Sequence, residues 1–216
     1  MSYTAKDIRN VCLLGHSGTG KTSLVESMLY MTGSIDRLGK VTEGNTVCDS
    51  DPEEAKRQIS ISLAVAPVKF KGCKINVLDT PGYFDFSGEV IEALQVADAA
   101  IIVCSAKAGM SVGAEKAWKL CEQRRLPRLL YISKTDEENS DYNAAPVAAP
   151  IWDADKKVIG FIDVLHKRAF EAGPKGERIE IDVPDDKKPV LDELYDALKE
   201  SVAETSEELM DKYFSG

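Results

Sequence analysis

Residues 11–29 read VCLLGHSGTGKTSLVESML, and the order of apolar run, glycine-rich turn and helical stretch decides the fold. Gly15 to Thr22, GHSGTGKT, matches Gly-x4-Gly-Lys-Ser/Thr, a motif that carries weight only between a strand and a helix. Both flanks are present. Ile8 to Leu14 is a short apolar run, and KTSLVESMLYMT has apolar residues at Leu24, Met28 and Met31. Glycines in such a turn let backbone N–H groups, together with the positive end of the helix, surround phosphate oxygens. The nucleotide-binding candidates are therefore Gly15, His16, Ser17, Gly18, Thr19, Gly20, Lys21, Thr22 and Ser23. Lys21 is expected to place a point charge on the β- and γ-phosphates, and Thr22 to offer a hydroxyl ligand to Mg²⁺.

Outward from the motif, strands and helices alternate. The stretch 33–58 is polar, glycine-containing and acidic, and reads as a long mobile loop. ISISLAVAPVKF then alternates apolar and small polar residues, turns at Lys71-Gly72 and returns as CKINVLD, an antiparallel hairpin. Downstream, VIEALQVAD is helical, AAIIVCSA is a buried strand, GAEKAWKLCEQRR is amphipathic and PRLLYIS is another buried strand. The pattern predicts an α/β fold of the P-loop NTPase type, a mostly parallel sheet flanked by helices.

After about residue 146 the pattern changes to short strands with Gly-Pro and Lys-Gly turns. One long helix or two follow, with Pro189 at the helix start. This predicts a core over 1–145 and a small inserted α+β subdomain over 146–216.

At 216 residues and 44% hydrophobic content the chain can bury a core. It has no apolar run of about 18 residues and its first ten lack the apolar stretch of a signal peptide, so it reads as cytoplasmic with no membrane partner. Five cysteines without metal-ligand spacing read as reduced structural thiols. A net charge of −9 argues against a broad nucleic-acid-binding face. His166 reads as a surface or half-buried residue, and Trp118 and Trp152 as packing residues.

Two more loops follow apolar strands. In DTPGYFDF, Asp79 closes its strand where an acidic partner for Mg²⁺ is expected, and Gly82 can offer a backbone N–H to a γ-phosphate and swing when it leaves. In SKTD, Lys134 can lay its stem over a purine, and Asp136 can accept the two N–H donors that guanine has and adenine lacks. That pattern favours GTP/GDP over ATP and disfavours an ATP-dependent kinase.

The order GHSGTGKT, RQISIS, DTPGYFDF, SKTD resembles the GTP-binding domain of translational GTPases of the elongation factor G type and its divergent paralogues. PVAAPIWDADKKVIGFIDVLHKRAF and VAETSEELMDKYFSG are similar to segments of the G-prime subdomain inserted in that domain. The resemblance implies Mg²⁺-dependent GTP hydrolysis coupled to a step on the ribosome by a longer protein. It also implies contact of the inserted subdomain with the ribosomal stalk.

Ser60 stands where the family's first switch has threonine, and keeps a hydroxyl for Mg²⁺; the implied metal set is Thr22, Ser60 and Asp79. Tyr83 stands where the family has the histidine that positions the attacking water, so the implied catalytic set is Lys21, Gly82 and Tyr83. A phenol can donate a hydrogen bond, but it does not become a cation near neutral pH as imidazole does. Hydrolysis is then expected to be slower, by about 10² to 10³ if the lost group is worth one oxyanion donor, or to be triggered differently. A GTP-sensing module with little hydrolysis is the alternative that Tyr83 leaves open. Ser133 replaces the family's asparagine, with an expected loss of one bracing hydrogen bond. The chain also departs from the family between Asn143 and Pro146, and reaches Gly216 before the family's last guanine loop, so it reads as part of a longer protein.

Overall fold

β1 (Ile8–Leu14) is the central strand of its sheet, with a parallel neighbour on each side, β3 (Cys73–Asp79) and β4 (Ala99–Ser105). Cys12, Leu13 and Leu14 at its end are 0 to 1% exposed, and this end delivers the glycine-rich turn. In the computed structural model, residues 3–135, 147–154, 157–173, 177–203 and 206–215 are described. They fall into two compact units, Met1–Ser140 and Asp141–Gly216.

The first unit is a five-stranded sheet in the order β2-β3-β1-β4-β5, with β2 at Ala64–Phe70 and β5 at Arg128–Ser133. β2 runs antiparallel to β3 through the predicted Lys71-Gly72 turn, whose two positive φ values, 47° and 81°, match the twist of a two-residue hairpin. The remaining pairs are parallel. Helices are α1 (Lys21–Met31), α2 (Pro52–Arg57), α3 (Ser87–Val96) and α4 (Val112–Gln123). Val25 and Leu29 of α1 pack with Leu13, Ala66, Val68 and Val77 of the sheet. All five cysteines are free thiols, four of them buried.

Several expectations need correction. The stretch 33–58 is no featureless loop: it holds a single 3-10 turn at Val41–Glu43 and the helix α2, and Cys48 and Ile35 join the core. Asp51 caps α2 by accepting from Glu53 N–H, Pro52 opens its first turn and Glu54 completes a capping box. The hairpin's first strand begins at Ala64 rather than Ile59, and α3 begins three residues before Val90. The inward face of α1 is Val25 and Leu29, while Met31 is exposed. β5 is an edge strand among the described residues, and Leu129 and Tyr131 on one of its faces are exposed where a buried strand was expected. Trp118 and Trp152 are partly exposed, Trp118 lying under the Arg128 guanidinium at 4.0 Å.

The second unit is an antiparallel meander of β6 (Ala148–Trp152), β7 (Val158–Asp163), β8 (Arg168–Ala172) and β9 (Arg178–Ile181). α5 (Lys188–Ala203) and α6 (Glu207–Ser215) follow, with Pro189 in the first turn of α5. Leu191, Leu194, Tyr195 and Leu198 form one stripe of α5 and pack on Ile151, Ile162, Val164 and Ala169. His166 is half exposed and its Nδ1 lies 2.9 Å from Asp163 Oδ2.

Candidate nucleotide site

The turn after β1 is shaped by glycines at φ 134° (Gly15), 73° (Gly18) and 93° (Gly20), backbone conformations that side chains resist. Gly20 then caps α1, so the first helical residues are Lys21 and Thr22 and their side chains start at the positive end of the helix. Lys21 is buried, and its Nζ donates to the carbonyls of Gly15 and His16, each at 3.0 Å. Burial pulls its pKa down to about 8, against the pull of Asp79 and Asp49. Thr19 Oγ1 closes the turn by donating to His16 O at 2.9 Å.

β3 carries Asp79 to the same edge. The residue is 1% exposed, and neither carboxylate oxygen has a hydrogen-bond partner among the described residues. Burial raises its pKa to about 6, opposed by the Thr22 hydroxyl and Lys21 and reinforced by Asp49 and Glu54. An orphaned carboxylate at this depth calls for a cation or a bound water shell.

Thr22 Oγ1 and Ser60 Oγ lie 3.2 Å apart, and Ser60 Oγ donates to Asp49 Oδ1 at 2.7 Å. Asp49 is itself buried, accepts from Thr46 Oγ1 at 3.3 Å, and has its pKa raised by burial. Sequence reasoning missed Asp49, whose only signal was its place in an acidic stretch. Hydroxyls and carboxylates of this kind are hard oxygen donors, the set that suits Mg²⁺.

Gly82 sits directly on the phosphate loop. A Cβ there would come within 2.5 Å of Ser17 N and 2.6 Å of Lys21 Nζ, so only glycine permits the approach. Tyr83 follows, partly exposed, and Phe84 lies against the His16 ring at 5.9 Å between centroids. His16 Nδ1 is buried and has no partner among the described residues.

Ser133 corrects an expectation. Its Oγ lies 2.6 Å from Thr19 O and 3.1 Å from Cys104 O, so the hydroxyl ties the end of β5 to the phosphate loop and a bracing bond is kept. Lys134 follows in a left-handed conformation with φ 55°. Asp136 lies outside the described residues, as does the departure at 143–146.

The groups meet in one cavity of about 250 Å³. Of the expected residues, Ser17, Gly18, Gly20, Lys21, Thr22, Ser23, Ser60, Gly82, Tyr83 and Lys134 line it, joined by Asp49. Gly15, His16 and Thr19 shape the loop from behind, and Asp79 is buried beside Lys21.

Residues 6–159 match the family described as elongation factor Tu GTP binding domain. An elongation factor G-like protein of Mycobacterium tuberculosis (strain ATCC 25618 / H37Rv) is 37% identical over 218 residues, covering 97% of this chain and 30% of the relative. Elongation factor G of Thermotoga sp. (strain RQ2) is 35% identical over 226 residues, covering 97% and 32%. A solved structure from Thermus thermophilus superposes with a TM-score of 0.85 at 38% identity, covering 97% of this chain and 33% of that one. The chain spans about a third of the length of the curated relatives it matches.

Proposed function

Because the chain belongs to the elongation factor Tu GTP-binding domain family, we propose that it binds Mg-GTP in the cavity beside Lys21 and Thr22 and hydrolyses it. The observation that carries the proposal is Asp79, a carboxylate 1% exposed with neither oxygen hydrogen-bonded among the described residues, at the same sheet edge as the Thr22 and Ser60 hydroxyls.

In this account Lys21 and the N–H groups of the glycine-rich turn hold the phosphates. Thr22 and Ser60 are the hydroxyl ligands of Mg²⁺, with Asp79 and Asp49 holding its outer waters or the ion itself. The metal, when bound, spreads the charge that builds on the β- and γ-phosphate oxygens. Gly82 presents its N–H to the γ-phosphate, and Tyr83 faces the water that attacks in line, with no covalent enzyme intermediate. Lys134 and Asp136 read the guanine. Replacement of the family's histidine by Tyr83 makes hydrolysis slow. No second observation favours the sensor with little hydrolysis.

The longer protein is proposed to act in the cytoplasm in an elongation factor G-like step on the ribosome. Residues 146–216 form its inserted subdomain and touch the ribosomal stalk, and this region reads no nucleic-acid sequence. Multiple-turnover GTP hydrolysis by the full-length protein, with and without ribosomes, tests this. Stimulation by ribosomes is the expected result; hydrolysis absent under both conditions contradicts it.

A further inference from the structure

Glu26 lies one helical turn after Thr22 on α1, and its side chain is 1% exposed. A carboxylate at that depth needs hydrogen-bond donors. Its donors are two backbone groups distant in sequence: Gly39 N–H reaches Oε2 at 3.1 Å, and Val47 N–H reaches Oε1. Between them the chain closes on itself, with Lys40 N–H donating to Asn45 Oδ1 at 2.7 Å and Gly44 N–H to Val41 O at 3.0 Å. Both stems of this small loop therefore end on one side chain.

The fit is close. A Cβ on Gly39 would lie 2.7 Å from Glu26 Oε2 and 2.7 Å from Asn45 O. From Val47 the chain runs through Cys48, which is buried in the core, to Asp49, which accepts from Ser60, whose hydroxyl lies 3.2 Å from that of Thr22. The first turn of α1 thus carries the phosphate-side groups Lys21 and Thr22, and its second turn grips the loop that leads to Ser60.

We propose that Glu26 is a positioning residue, whose carboxylate pins both ends of the 39–47 loop to α1 and so sets Asp49 and Ser60 against Thr22. The role rests on the Mg-GTP function proposed above. It requires an acceptor at both oxygens. Glutamine keeps one acceptor and turns an N–H₂ group toward the other backbone N–H, and alanine leaves both N–H groups buried without partners. Gly39→Ala attacks the same contact from the loop side and leaves Glu26 unchanged.

The test compares the unchanged chain with Glu26→Gln, Glu26→Ala and Gly39→Ala, by amide hydrogen exchange and by Mg²⁺-dependent nucleotide binding and turnover. In Glu26→Ala and Gly39→Ala the amides of residues 39 and 47 should both lose protection, and in Glu26→Gln at least one of them should, while those of β1 and β4 keep it, which also reports that the fold is intact. GDP affinity should hold within about twofold, whereas the Mg²⁺ needed to retain GTP should rise about tenfold and kcat fall about tenfold at constant KM, the scale of one buried charge-assisted hydrogen bond. Retained protection at the two amides overturns the clamp. Lost protection with unchanged Mg²⁺ requirement and kcat overturns the positioning role and leaves a structural staple. If the unchanged chain binds no guanine nucleotide, the Mg-GTP function falls and this role with it; if it binds and the variants match it, only the role of Glu26 falls.

Discussion

Two stretches of backbone reach the same cavity by opposite means. The phosphate loop is held by its own geometry: three left-handed glycines, the end of β1, the start of α1, and Lys21 and Thr19 bonded back to its carbonyls. The 33–63 segment has only one short helix and one 3-10 turn, and is held by carboxylates accepting from its backbone. Glu26 takes Gly39 and Val47, Glu54 takes Ile61 and Ser62 at 2.8 and 3.0 Å, and Glu89 of α3 takes Leu63 at 2.6 Å. A loop made of local geometry has one shape, whereas a segment held by a few acceptors at its ends can change state by exchanging them. The second arrangement suits a segment that responds to the arrival and loss of a phosphate.

The contrast predicts that changes on the responsive side alter turnover, and changes in the phosphate loop alter binding. The largest effect is expected at Tyr83: Tyr83→His should raise GTP turnover by about 10² to 10³ with GTP affinity unchanged, read by steady-state hydrolysis. An equal change in affinity would break the distinction. Lys21→Ala should weaken GTP and GDP alike by about 100-fold in calorimetry, the upper scale for a hydrogen bond to a charged group.

Asp79→Asn should separate stability from function. At pH 7 the buried carboxylate is charged and has no hydrogen-bond partner among the described residues, so the amide should stabilise the metal-free chain by roughly 1 to 3 kcal/mol while raising the Mg²⁺ requirement about tenfold. The folded chain holds this proton up to about 6, against 3.8 for the unfolded group, so its contribution to stability is greatest below 3.8 and falls as pH rises to about 6. Thermal melts of both forms across that window check the sign. The smallest effect is expected at Ser133, whose bond reaches the phosphate loop from β5: Ser133→Ala should cost about fivefold in nucleotide affinity.

The same contrast explains what the sequence revealed. The phosphate loop, β1, α1 and the hairpin were legible because glycine spacing, apolar runs and the Lys71-Gly72 turn act over neighbouring residues. Asp79 was legible because it ends an apolar strand, and Gly82 because it lies in the Thr-Pro-Gly turn that follows. The 33–58 stretch was read as a mobile loop, and 59–63 as the start of a strand, because the order of this segment comes from Glu26, in another element, and from Glu54, whose carboxylate serves residues beyond its own helix. Yet Asp51-Pro52-Glu53-Glu54 is a capping signal and could have revealed α2. Asp49 was missed since its partners are distant in sequence. The exposure of β5 was missed because an apolar run does not reveal whether both faces of a strand are covered. At Ser133, residue identity suggested a lost bond, and only the distance to Thr19 O shows that a hydroxyl bridges the gap.

The most direct test of the central claim is calorimetric titration of the 216-residue chain with GDP, GTP and ATP in Mg²⁺. The account predicts saturable binding of GDP and GTP, lost in Lys21→Ala, with no signal from ATP. Equal binding of ATP would contradict guanine recognition by Lys134 and Asp136, and no binding of any nucleotide would contradict the claim that this cavity is a nucleotide site.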